Sequence, residues 1–334
     1  MKDNRAYDVP EEAKTGRKWL DRYLRRFNPE TDYEEIVSVF AQYSLDMFSM
    51  HFTVLTGTMH NIQTGTGAET LAYTNWLVRR PARRNEGGLA HFWVWFAKGP
   101  SHPDTIASIS RLNKVHLAIA RNLPGNFSNN KEYLYTLCLI GIFNYRLFQR
   151  LGLPEMPDYL KIAMHHELCD LSALFEGEHG RVHSFPEDFD GLVRFVEEFD
   201  KSDHPSTPVT KDLCEAMMTD FADRWFPRGF RWFGRSMMLY ASDEAVLRRY
   251  GVKTLNPVMK AIVHRMMKAM FFAKIVLAPD RKTSFLDSWT PMTPDEIRAY
   301  DQAAAARADK AGWVKAGPDG LKLSKPIIRS EQGS

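Results

Sequence analysis

Helix-start signals recur along nearly the whole chain, whereas alternating apolar and polar runs bounded by hairpin dipeptides are almost absent. That contrast restricts the chain to an all-α fold. Pro10-Glu11-Glu12 predicts a helix running to about Arg26, and Thr31 and Glu34 have capping-box spacing. A long apolar stretch through Met47, Phe48, Met50 and Phe52 follows, and the segment from Thr56-Gly57-Thr58 to Gly67 is expected to break or bend it. Ser101-His102-Pro103-Asp104 starts a helix that ends before Pro124-Gly125, and Asn130-Lys131-Glu132 starts an apolar one closed by Gly152. Pro157-Asp158, Pro186-Glu187-Asp188, Val209-Thr210 and Asn256-Pro257 open further helices. Thr293-Pro294-Asp295-Glu296 opens a charged, Ala-rich C-terminal one, and the tail after Gly317 is expected to be loose.

With 334 residues, 44% of them apolar and 12% aromatic, the chain is long enough to bury a sizeable core. No composition shift marks a domain boundary. The expectation is one multi-helix domain over residues 31–280, with an N-terminal helical extension over 1–30 and a C-terminal helix and tail over 281–334. A net charge of +3, spread along the chain, does not suggest a nucleic-acid binder. The run Arg79, Arg80, Arg83, Arg84 is a local exception. Broken by Pro81 and followed by Asn85-Glu86-Gly87-Gly88, it reads as a solvated loop, with an anion or lipid-headgroup contact as its functional alternative.

Cys138, Cys169 and Cys214 share no metal spacing, and an odd count argues against a disulfide framework. A reducing compartment fits them, and Met1 to Arg5 lead into charge rather than an apolar signal segment, so a cytoplasmic location is expected. The most apolar run, Tyr133 to Phe148, is short of the roughly 20 residues a membrane span needs. It reads as a buried central helix, with peripheral membrane contact as the remaining membrane option.

The segment Thr105 to Leu123 is the most informative. At about 100° per residue one face collects Ile106, Ile109, Leu112, His116, Ile119 and Leu123, with His116 in mid-stripe. Arg111 and Lys114 lie on the other side beside Val115 and Ala118, so the helix reads as buried on most of its circumference. Buried Arg111 and Lys114 then require partners, as members of structural ion pairs or as groups that hold a haem propionate or polarise dioxygen. His116 reads as a core histidine or as a metal or haem ligand, a role neutral imidazole suits.

Ile109-Ser110-Arg111-Leu112-Asn113-Lys114-Val115-His116, followed by Glu132-Tyr133-Leu134-Tyr135-Thr136-Leu137, resembles the MpaB-type oxygenases, which belong with the rubber oxygenases (latex-clearing proteins). Arg146, the Gly152 turn, Trp225 to Phe230 and Met237-Met238 extend the likeness, which runs from about Asp32 to Gly251. The resemblance implies an all-helical fold, oxidative cleavage of carbon–carbon double bonds in isoprenoid chains, and a b-type haem. It implies that Arg111 and Lys114 match a distal Arg and Lys that act on dioxygen, and it leaves His116 as first choice of iron ligand. The chain departs from the pattern in having no histidine within Leu134 to Phe143, no glutamate shortly before Arg111, and no membrane anchor in view.

Other clusters carry weaker signals. His166 and Asp170 are i,i+4 neighbours and could share a metal or a hydrogen bond, while adjacent His165 points elsewhere. Glu176 and His179 have Glu-x-x-His spacing, interrupted by glycines. His166 and His179 are therefore the alternative metal ligands. His51 sits in an apolar run and is expected to line a pocket, His264 lies beside Met266, Met267 and Met270, and His91 to Phe96 is an aromatic cluster that suits core or ligand packing. The functional expectation is a haem- or iron-dependent oxygenase that takes dioxygen and a small hydrophobic, isoprenoid-like substrate. The alternatives are a non-catalytic lipid or terpenoid carrier and a cofactor-free enzyme on the same scaffold.

Overall fold

The computed structural model describes residues 7–204 and 207–313, and these are almost entirely helical. In chain order the helices are α1 (Trp19–Leu24), α2 (Tyr33–Ser44), α3 (Met47–Asn61), α4 (Gly65–Thr74), α5 (Trp76–Arg79), α6 (Pro81–Lys98), α7 (Pro103–Ala120), α8 (Asn130–Leu151) and α9 (Asp158–Leu174). A two-stranded hairpin, β1 (Glu176–Gly177) and β2 (Gly180–Arg181), follows. The chain continues through α10 (Phe189–Lys201), α11 (Pro208–Trp225), α12 (Arg231–Ala241), α13 (Glu244–Arg249), α14 (Pro257–Phe272), α15 (Phe285–Ser288) and α16 (Pro294–Ala311). The all-α expectation holds.

Most boundaries fall where the caps predicted them. His102, Asn129, Asp188 and Asn256 each accept a backbone N–H at the start of their helix, and Gly152 ends α8 in the left-handed region at φ 59°. Thr293 and Glu296 form the reciprocal box that opens α16. Four details differ. The helix expected from Pro10 to Arg26 is a single 3₁₀ turn, Glu11–Ala13, separated from α1 by a turn at Gly16, whose φ is +80°. Thr31 does not cap α2: Asp32 is the capping position, and the Thr31 hydroxyl donates to the Asp32 carboxylate instead. The break expected over Thr56 to Gly67 is there but narrower: α3 runs unbroken to Asn61, and only Ile62, Gln63 and the α4 cap Thr64 are non-helical.

The fourth difference matters most. The arginine run is helical, not a loop: Arg79 ends α5, and Pro81 occupies the first turn of α6, where its missing N–H leaves nothing unsatisfied. Packing of α6 against α2, α7 and α16 outweighs the low helix propensity of Gly87 and Gly88.

Burial divides into two apolar clusters joined by α3 and α8. One gathers Trp19, Leu24, Ile36, Trp93, Ile109 and Leu168 from helices near the N-terminus and α6 to α10. The other gathers Leu55, Met217, Phe221, Met237, Val263 and Met267 from α3, α11, α12 and α14. The segments expected as an N-terminal extension and a C-terminal helix pack on the core: Trp19 and Leu24 are fully buried, and Ala304 and Ala308 of α16 lie inside. The tail after Gly317 lies outside the described residues. No helix among the described residues is long and apolar enough to cross a membrane.

Candidate functional site

Between α2, α3, α6, α7 and α8 the packing opens into a cavity of about 1160 Å³ with mostly apolar walls. The wall follows helical periodicity. On α6 it takes Arg84, Gly88, His91, Phe92 and Trp95; on α8 it takes Tyr133, Thr136, Leu137, Ile140 and Asn144. Gly88 helps keep the space open, since a Cβ built there would meet nothing within 4 Å.

α7 contributes Leu112 and His116, one turn apart. Its remaining surface corrects the sequence reading. Ile109 is fully buried, but Ile106 is 45% and Val115 53% exposed, and Arg111 and Lys114 are exposed too. The helix is a surface helix with one buried edge. Ile106, expected on the apolar stripe with His116, and Val115, expected on the side of Arg111 and Lys114, both meet water, and there the two charges need no partner. Arg111 and Lys114 lie outside the cavity wall.

His116 is partly buried and lines the cavity. Its ring stacks on Phe127 at 4.4 Å between centroids and meets Tyr133 edge-on at 6.3 Å. Nδ1 is cut off from solvent without a hydrogen-bond partner, and no described residue pairs with Nε2, the ring nitrogen that keeps accessible surface. Burial alone holds the imidazole down to about 4, so the ring is neutral across the physiological range. Phe127 is itself fixed. Its N–H and that of Gly125 donate to the Glu178 carboxylate at 2.9 and 2.8 Å, and its carbonyl accepts from the Glu178 N–H at 2.9 Å. The small hairpin thus anchors the loop that carries the ring beneath His116.

Glu132, in the first turn of α8, also lines the cavity. The Thr66 hydroxyl donates to its carboxylate at 2.8 Å, and Asn129 at 3.3 Å, while burial pushes its pKa above the usual carboxylate range. His91 Nδ1 lies 2.6 Å from the Ser108 hydroxyl, which also accepts from Trp95 Nε1 at 3.0 Å. Arg84, read from sequence as part of a solvated loop, faces the cavity from α6. The signal that finds it is the i, i+4, i+7 spacing from Arg84 through Gly88 to His91, which is legible only once α6 is taken as a helix.

The other expected ligands do not converge. His166 Nε2 pairs with Glu30 at 2.6 Å, whereas Asp170 accepts from the Tyr33 hydroxyl, so the two have separate hydrogen-bond partners. His165 Nε2 faces the Pro186 carbonyl at 2.8 Å. Glu176 and His179 are exposed on the hairpin. Among the described residues no three His, Cys, Asp or Glu side chains gather as a metal-binding group.

His51 does not line the cavity. It lies in a buried polar cluster: Nδ1 accepts from Trp225 Nε1 at 2.8 Å, and Nε2 lies 3.3 Å from Asp220. Asn85 donates to Asp220 at 2.8 Å, as does the Tyr300 hydroxyl. His60 is equally satisfied, between the Thr56 carbonyl at 3.0 Å and the Asp243 N–H at 3.1 Å.

No known protein-family model matches this chain, and no curated protein matches it either.

Proposed function

We propose that the chain is an oxygenase-type enzyme that draws a long hydrophobic molecule into the cavity, with haem iron held at His116. The observation that carries this reading is a neutral histidine, without a hydrogen-bond partner, in the wall of a large apolar cavity. A buried imidazole that lacks a partner costs stability, and a ligand removes that cost. The resemblance to the MpaB-type oxygenases supplies the chemistry.

The residues fit one form of iron better than the other. A single axial histidine beside aromatic walls suits haem. A non-haem centre built from several protein ligands finds no such group among the described residues. Bound there, haem would supply dioxygen binding and activation. The chain's own residues do the rest. His116 keeps a lone pair available because burial holds it neutral. Phe127 and Tyr133 fix the ring, and the apolar wall excludes water and aligns the substrate. Arg111 and Lys114, exposed on the far side of α7, play no part in this arrangement.

Protein produced with iron and haem supply is expected to show a Soret band that His116→Ala removes while the far-ultraviolet dichroism is unchanged. No Soret band and no iron in active protein would overturn the reading. A second reading, a carrier without catalysis, is favoured by the scarcity of polar groups in the wall. It predicts ligand binding without dioxygen consumption.

A further inference from the structure

Arg84 is the anomaly in the cavity wall. Its guanidinium is enclosed by protein yet keeps part of its surface accessible, as expected for a group whose free side faces the cavity. No hydrogen bond or ion pair joins that guanidinium to another described residue. Asp220 is the acid whose charge acts on it, but the Asp220 oxygens already serve Asn85 and Tyr300 and face His51. Other half-buried arginines are matched: Arg224 to Glu86 at 2.7 Å, Arg146 to Asp200 at 3.0 Å, and Arg150 to the Tyr240 carbonyl at 2.6 Å. An unmatched cation in an apolar enclosure is costly, and a planar fork suits carboxylate and phosphate oxygens.

The space in front of it is shaped for a chain. Gly88 follows one turn later on the same face and leaves its surroundings open, and Phe92 and Trp95 continue the stripe. We infer that the cavity takes a long-chain amphiphile with an anionic head, a carboxylate or a phosphate monoester, the head paired with Arg84 and the chain laid along α6. The inference rests on the reading that the cavity holds an apolar molecule, and it adds the polarity and placement of that molecule's end.

Palmitate, hexadecyl phosphate and hexadecanol test it, each titrated into the full chain by calorimetry. At least one of the two anions is expected to bind about tenfold or more tighter than the alcohol, the gain typical of a hydrogen bond to a charged group. The tighter anion identifies the head. Arg84→Met should erase that gap, leave hexadecanol binding unchanged and leave the melting temperature level or raised. Gly88→Trp should block all three. Equal binding of the three by the unmodified chain overturns the Arg84 assignment alone. No binding of any of them overturns the cavity reading with it. A drop in the Arg84→Met melting temperature identifies a structural charge and overturns the assignment. So does Arg84→Met weakening haem uptake while palmitate binding stays intact, since the guanidinium would then serve a propionate.

Discussion

Burial lowers the pKa of both His51 and His116, but His51 is wholly enclosed while His116 is only partly buried, beside the cavity. Everything else about them differs. His51 has Trp225 on one nitrogen and Asp220 with Asn85 at the other, and Tyr300 completes the carboxylate's shell. That cluster ties α3, α6, α11 and α16 together where no cavity intervenes. His116 has aromatic rings on its faces and nothing on its nitrogens, beside a cavity. A satisfied buried polar network holds a fold in one arrangement, whereas an unsatisfied buried group marks a place where the fold is not optimised for itself.

The comparison breaks first at Asp220. Asp220→Ala strands His51, Asn85 and Tyr300, and is expected to cost about 3–5 kcal/mol in denaturant unfolding. A cost below about 1 kcal/mol would mean the cluster is not the fastening it resembles. The second effect is one of pH. His116 stays neutral in the folded chain down to about 4, while the unfolded chain takes up a proton near 6.5. The unfolded state therefore binds more protons over that window, and stability falls as pH drops through it. The contribution of His116 is complete above 6.5 and falls by about 3 kcal/mol by pH 4. His51 and His60 are also lowered by burial and add to the same slope. The readout is thus the difference between the parent chain and His116→Phe, which should resist acid by that margin. Parallel pH profiles for the two would contradict the buried, unpartnered placement.

A smaller effect concerns neutral pH. His116→Phe removes the unsatisfied Nδ1 and keeps a ring against Phe127, so it is expected to raise stability by about 1 kcal/mol while abolishing any iron spectrum. Destabilisation with an unaltered spectrum would make His116 an ordinary core residue. Smallest of all, Arg111→Ala and Lys114→Ala should shift unfolding by less than about 0.5 kcal/mol, because both side chains are exposed. Loss of turnover in either variant, with stability unchanged, would return to them the dioxygen role that the MpaB-type resemblance implies.

The helices themselves were legible in particular residues. Thr293 with Glu296, Asp188, Asn256 before Pro257, and Gly152 each act within one turn of backbone, so their effect is local and readable. The failures were equally local in kind. Thr31 yielded to Asp32 one residue later, and Gly87-Gly88 read as a breaker because propensity alone cannot register what α6 packs against. Periodicity put Leu112 and His116 on one face, and both line the cavity, but the same periodicity misplaced Arg111 and Lys114. A stripe fixes which residues share a face, not whether that face meets a neighbour or water.

By itself the sequence determined an all-α chain, the positions of most helix ends, and which residues share a helix face with His116, because caps, turns and 3.6-residue periodicity act over a few residues. Tertiary structure alone decided that α6 is continuous, that Arg84 and Gly88 face a cavity, that His51 is fastened while His116 is free, and that Arg111 and Lys114 stand in solvent. Those outcomes depend on partners brought from distant parts of the chain. Burial and hydrogen-bond satisfaction are properties of such encounters, and no short stretch of residues contains them.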